Sequence, residues 1–189
     1  MKTAKILWSS SSILINVIIG IYIYLQQIGP SDLAERFQFM NEIWPLYGGH
    51  WRAEMILITM MAISALFFAI YFKNISWLTI SVGKIIVLGT YAFMLGGFRN
   101  TSVELATMAN QMATVVFMLG SFIFYIGLFH LYLKSDLLKP WLRYLATTVA
   151  LILSVGFFLI YILIIAPLGN LLYIINAYYG WQLKPITNH

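Results

Sequence analysis

The sequence predicts an all-α protein: a polytopic membrane helix bundle of about six transmembrane helices with a short amphipathic helix on its outer side. Of the 189 residues, 61% are hydrophobic and only 9% are charged, whereas soluble domains average about 45–50% apolar and about 25% charged residues. The apolar residues form long runs, and most basic residues lie in the connecting segments that alternate spans place on one side of the membrane. This composition excludes a soluble enzyme and a nucleic-acid-binding module. The net charge of +5 is therefore assigned to loops that face a membrane surface.

The apolar runs give the predicted spans of a single transmembrane domain, because a helix needs about 20 residues to cross a bilayer. The first run follows Lys2 and Lys5 and is longer than the apolar core of a cleavable signal peptide, so we expect an uncleaved helix. Pro167 and Gly169 interrupt the pattern near the end, and the last run either spans or re-enters the membrane. The predicted spans are residues 6–28, 53–72, 77–97, 105–133, 141–165 and 168–181.

An amphipathic helix is predicted at residues 31–44, between the first two spans. Ser31 or Asp32 can accept hydrogen bonds from the free N–H groups of its first turn, and Pro45 limits its far end. We expect this helix to lie on the outer surface, as a packed lid or, alternatively, as a gate or docking surface. Apolar residues recur at helical spacing, namely Leu33, Phe37, Met40, Trp44 and Tyr47.

The distribution of basic residues predicts the orientation, because cytoplasmic loops carry an excess of Lys and Arg. Six spans with an inner N-terminus place most of these residues inside: Lys2, Lys5, Lys73, Lys134, Lys139, Arg143 and Lys184. The same arrangement leaves only Arg36, Arg52 and Arg99 outside. An arrangement with five spans would move Lys184 to the outer side, so the basic residues would be divided more evenly between the two sides. We therefore expect both termini in the cytoplasm.

One connector between two predicted spans, residues 124–145, has a distinctive pattern. An apolar helix containing Gly127 runs into Lys134 and Ser135, a Leu-rich stretch follows, and Pro140 begins the next helix. The connector resembles that of a family of small bacterial six-helix integral membrane proteins of unknown function. The resemblance implies six helices and a bacterial inner membrane. It implies no functional residues, because none are established in that family.

Lys84 is the main candidate for an interior polar site. It lies within the third predicted span, where a charged side chain costs about 2.5–3.5 kcal/mol on insertion scales. One interpretation is that it extends toward the membrane surface or only hydrogen-bonds within the bundle; the other is that it binds a small solute or an anionic lipid. No acidic residue is predicted at its depth. Polar residues predicted at a similar depth are Asn16, Ser121, Tyr125, Thr148 and Asn176.

A second cluster is predicted at the outer face, consisting of His50, Arg52, Glu54, Arg99 and Glu104. His50 and Glu54 are four residues apart and share one helix face. Such a pair can bind a divalent metal or relay a proton, with Glu104 as a third ligand. The alternative is a network of salt bridges. The zinc-protease pattern His-Glu-x-x-His is absent, so the metal remains open and no cofactor is expected.

Three function classes remain open. The first is an accessory or structural subunit of a membrane complex. The second is a protein with a solute- or lipid-binding cavity around Lys84, which is the specific hypothesis here. The third, a membrane-embedded enzyme using the outer His/Glu cluster, is disfavoured because no complete catalytic set can be assembled from the sequence. Expected partners are membrane lipids, a small solute or anionic lipid, and a membrane protein or second copy, but not nucleic acid.

Overall fold

A computed structural model shows an all-helical chain. It describes the backbone of residues 1–99, 102–159 and 162–185, and the side chains of this part except those of residues 157–166. Seven helices are present in the described part, and each is numbered in chain order. They are α1 (Lys2–Ile28), α2 (Leu33–Glu42), α3 (Trp44–Phe72), α4 (Ile75–Gly97), α5 (Val103–Leu133), α6 (Pro140–Leu159) and α7 (Ile162–Gln182).

Six of these helices form a closed ring. Neighbours contact one another in the order α1, α3, α4, α5, α6, α7 and back to α1, while the short helix α2 contacts α3 and α5. Large apolar side chains cover the outside of the ring; Ile70 is 72% exposed and Val115 is 64% exposed. Helices α1, α3, α4 and α5 are long and apolar enough to cross a membrane. The apolar outer surface therefore suits lipid rather than water.

The short helix predicted after the first span is present as α2. Its first turn is capped by Asp32, whose side chain accepts a hydrogen bond of 3.0 Å from the backbone N–H of Glu35. The next helix, α3, begins at Trp44 rather than at residue 53, because Pro45 occupies its first turn and proline is favoured there. The residue predicted to limit one helix therefore helps to begin the next.

The predicted boundaries near the end of the chain also change. Helix α7 begins at Ile162 and continues through Pro167 for 21 residues, whereas the sequence predicts a short final span at residues 168–181. Prolines are tolerated within membrane helices because neighbouring groups satisfy the freed carbonyl. The predicted span at residues 141–165 corresponds to α6 and the beginning of α7, and its residues 160–161 lie outside the described part.

Three glycines allow α4 and α5 to pack with their backbones in contact, and this pair forms the most extensive interface of the ring. A Cβ atom added to Gly120 would lie 2.7 Å from the backbone nitrogen of Val87, and one added to Gly127 would lie 2.8 Å from that of Ile80. Gly83 faces the backbone of Phe124 just as closely. Small residues at such positions are typical of close helix packing in membranes.

The half of the ring nearest the chain termini is filled by an aromatic cluster consisting of Trp8, Phe68, Trp77 and Tyr179. The rings of Trp8 and Trp77 meet edge to face with centroids 5.0 Å apart, and Phe68 lies 4.8 Å from Trp77. The indole N–H of Trp8 donates a hydrogen bond of 2.9 Å to the carbonyl of Asn176. This half of the bundle is therefore closed by well-packed side chains.

The α4–α5 packing predicts that Gly120→Ala destabilises the protein, since the new methyl group would meet backbone atoms of α4. Overpacking of this kind costs about 1–3 kcal/mol, so we expect a lower melting temperature in detergent. Gly20→Ala is the matched control, because a Cβ on Gly20 has no atom within 4 Å. Equal melting temperatures for the two variants would contradict the close packing.

Candidate functional site: a central cavity

A cavity of about 410 Å³ lies inside the ring, on the far side of the aromatic cluster from the chain termini. Helices α1, α3, α4, α5 and α7 line it. Its volume falls within the range of about 300–1,000 Å³ typical of small-molecule sites. Most of the wall is aliphatic or aromatic. The polar and charged lining residues are Glu54, Lys84, Thr90, Asn110, Thr114, Ser121 and the tyrosines Tyr22, Tyr91, Tyr125 and Tyr173.

Lys84 extends into this cavity and is only 2% exposed. Its Nζ atom lies 3.7 Å from the ring centroid of Phe124 and donates a hydrogen bond of 2.6 Å to the hydroxyl of Tyr173. The contact with the Phe124 face is a cation–π interaction, which is stronger where water is excluded. The Lys84 side chain is thus directed into the bundle rather than toward the membrane surface, which agrees both with hydrogen bonding within the bundle and with binding of a ligand.

Tyr173 connects Lys84 to α5 through a second hydrogen bond, which its hydroxyl shares with that of Tyr125. Three helices, α4, α7 and α5, are thereby joined by one chain of polar groups across the cavity. The sequence predicts Tyr125 at this site, but it gives no sign of Tyr173. Because Pro167 and Gly169 indicate a helix break in the sequence, the sequence does not show that α7 is continuous. The depth of Tyr173 in the bundle therefore could not be predicted.

Glu54 lines the same cavity, although the sequence predicts no acid at the depth of Lys84. The early start of α3 explains the difference, because Glu54 lies within a long helix instead of at its end. Its side chain is 20% exposed, and its carboxylate is hydrogen-bonded to Tyr91. The ammonium nitrogen of Lys84 lies more than 4.0 Å from the carboxylate oxygens of Glu54, so these two described side chains do not form a direct ion pair.

The structure brings together only some of the residues predicted to surround Lys84. Ser121 and Tyr125 line the cavity. Asn16 instead donates a hydrogen bond of 3.0 Å to the carbonyl of Ser12 in its own helix. The carboxamide of Asn176 accepts a hydrogen bond from Tyr132, and Thr148 is exposed on α6. Matching depth in the membrane does not determine which face of each helix points inward, and these three residues lie elsewhere for that reason.

The structure also brings together only some of the residues of the predicted outer cluster. Arg52, Arg99 and Glu104 are exposed and do not line the cavity, whereas Nε2 of His50 lies 3.8 Å from a carboxylate oxygen of Glu54. The His50 ring is buried and stacks on Tyr22, with centroids 6.1 Å apart. No group of three His, Asp or Glu residues is arranged to hold a metal ion in the part of the chain that the structure describes.

No protein-family model, curated protein or solved structure matches the chain.

Replacing Lys84 tests whether it serves stability. Lys84→Met removes one hydrogen bond and the cation–π contact, but it also removes the cost of keeping a charge out of water, which is several kcal/mol. We expect its melting temperature in detergent to equal or exceed that of the wild type. Phe68→Ala, in the aromatic cluster, should be less stable by about 3–5 kcal/mol and shows that the assay detects a loss of packing. Loss of folding in Lys84→Met would instead make the lysine a structural residue.

Proposed function

We propose that the protein is an integral membrane protein that binds a small polar solute in its central cavity. One observation carries this proposal: Lys84 and Glu54 line the same cavity without forming a direct ion pair. Two charges held apart in a low-dielectric interior are destabilising relative to apolar residues of the same size. Their presence is explained if a ligand contacts them.

The composition of the cavity wall supports the same conclusion. Ligand sites are mostly apolar with a few polar groups that fix the orientation of the ligand, and Ile58, Val87 and Phe117 contribute apolar surface beside the two charges. An anionic lipid headgroup fits less well than a small solute, because the carboxylate of Glu54 faces the same space and would repel it.

We further propose a six-span topology in a bacterial inner membrane, with both termini in the cytoplasm. The closed ring of six helices, the excess of basic residues on one side and the family resemblance of residues 124–145 support it. In this orientation the cavity lies in the outer half of the bundle, and the aromatic cluster closes the cytoplasmic half. A solute would then reach the cavity from the outer side.

Substituted cysteines test the cavity, since the chain has no cysteine of its own and every label reports one introduced site. Ser121→Cys should react with N-ethylmaleimide because Ser121 lines the cavity. Ser64→Cys is the matched control: Ser64 is a buried helical serine outside the cavity, bonded to the carbonyl of Met60. We expect fast labelling at residue 121 and little at residue 64 in folded protein. Equal protection of both would contradict an accessible cavity.

Reporter fusions test the topology. Alkaline phosphatase, which is active only outside the cytoplasm, should be active when inserted near Gln38 and inactive when fused at the C-terminus. A fluorescent protein that matures in the cytoplasm should give the opposite pattern. Activity of the phosphatase at the C-terminus would reject the six-span arrangement.

A further inference from the structure

The charges of the central cavity indicate the class of its ligand. We propose that the ligand is a small zwitterion that carries a carboxylate and an ammonium group on an apolar body, as amino acids do. This inference rests on the proposed function and adds the identity of the ligand class. The carboxylate would contact Lys84, and the ammonium would contact Glu54.

Lys84 has donor capacity left for a carboxylate. An ammonium group offers three N–H donors, and one of them is used by Tyr173. The Phe124 ring covers one face of the group but accepts no conventional hydrogen bond. A bound carboxylate would supply a further acceptor and a negative charge in direct contact with the ammonium, in a charge-assisted hydrogen bond that is stronger than a neutral one.

Glu54 has the complementary capacity on the α3 wall. A carboxylate has about four acceptor sites, and Tyr91 supplies one donor. The nearest nitrogen of His50, at 3.8 Å, is beyond hydrogen-bonding distance. An ammonium group on the ligand would therefore find acceptor positions and a negative charge on the wall formed by α3.

The balance of charge in the lining separates a zwitterion from a simple ion. Lys84 and Glu54 are the only charged side chains among the described residues that line the cavity. An anion would neutralise Lys84 and leave Glu54 uncompensated, and a cation would do the reverse; in a low-dielectric site either outcome costs several kcal/mol. A zwitterion compensates both charges at once.

The apolar residues of the cavity wall indicate the chemistry of the uncharged part of the ligand. Ile15, Ile58, Phe117 and Met118 offer aliphatic and aromatic surface around the charged groups. Apolar surface on the ligand would gain from burial against these side chains. A cavity of about 410 Å³ accommodates a molecule of amino-acid size, so an amino acid with an aliphatic or aromatic side chain fits the site better than a highly hydrated sugar.

A panel of matched compounds tests this inference on the purified full-length protein in detergent. Phenylalanine, leucine and γ-aminobutyrate are the zwitterions. Phenylalaninamide keeps only the cation, 3-phenylpropionate keeps only the anion, and N-acetylphenylalaninamide is neutral. Binding is measured by calorimetry and by the shift in melting temperature. We expect at least one zwitterion to bind, and phenylalanine to bind at least tenfold more tightly than each of its three analogues.

Single variants then assign the two contacts. Lys84→Met should remove the preference for phenylalanine over phenylalaninamide, and Glu54→Gln should remove its preference over 3-phenylpropionate. Lys73→Met and Glu104→Gln, which alter exposed residues outside the cavity, should change neither. The melting curve of each variant shows that it is folded.

The outcomes separate this inference from the proposed function. Binding of 3-phenylpropionate as tightly as phenylalanine would make the cavity an anion site and overturn the zwitterion. The absence of binding by every zwitterion at millimolar concentration would also overturn it, even if Ser121→Cys is still labelled and the accessible cavity stands. If neither ligand binding nor labelling is observed, the proposed function fails as well.

Discussion

The close packing of α4 against α5 is the contact on which the rest of the bundle depends. Three glycines bring the two backbones together, and Gly83 lies directly against the backbone of Phe124. The following residue on α4, Lys84, therefore begins close to the Phe124 ring, and its ammonium group lies over that ring. A larger residue at this interface would move α4 away and separate the cation from the aromatic face. The same contact thus closes the ring of helices and places the charge inside it.

A second constraint comes from the beginning of α3. Proline in the first turn starts this helix at Trp44, and the buried side chain of Tyr47 fixes its position by donating a hydrogen bond of 3.2 Å to the carbonyl of Leu25 at the end of α1. Trp51 packs against Phe98 with ring centroids 5.4 Å apart. These contacts position α3 so that Glu54 lies within the bundle, where it lines the same cavity as Lys84. The acid and the base are therefore positioned by two independent helix contacts rather than by each other.

Much of the fold follows from the sequence, because long apolar runs, the Asp32 cap and a lysine within a run each have a direct physical meaning. The finer details depend on long-range packing. Pro45 is compatible with the end of one helix or the start of another, and only the packing of the residues after it decides between them. The rotation of each helix about its axis is equally hidden, since nearly all faces of these helices are apolar. For this reason Ser121 lines the cavity, whereas Thr148 is exposed on α6.

Under the proposed function, Lys84 and Glu54 together hold a ligand inside the bundle. Native mass spectrometry of protein released gently from membranes can detect such a ligand, by comparing the wild type with the double variant Lys84→Met/Glu54→Gln. We expect the wild type to carry a small polar molecule that is absent from the folded double variant. The same bound mass on both proteins, or only lipids on both, would contradict it.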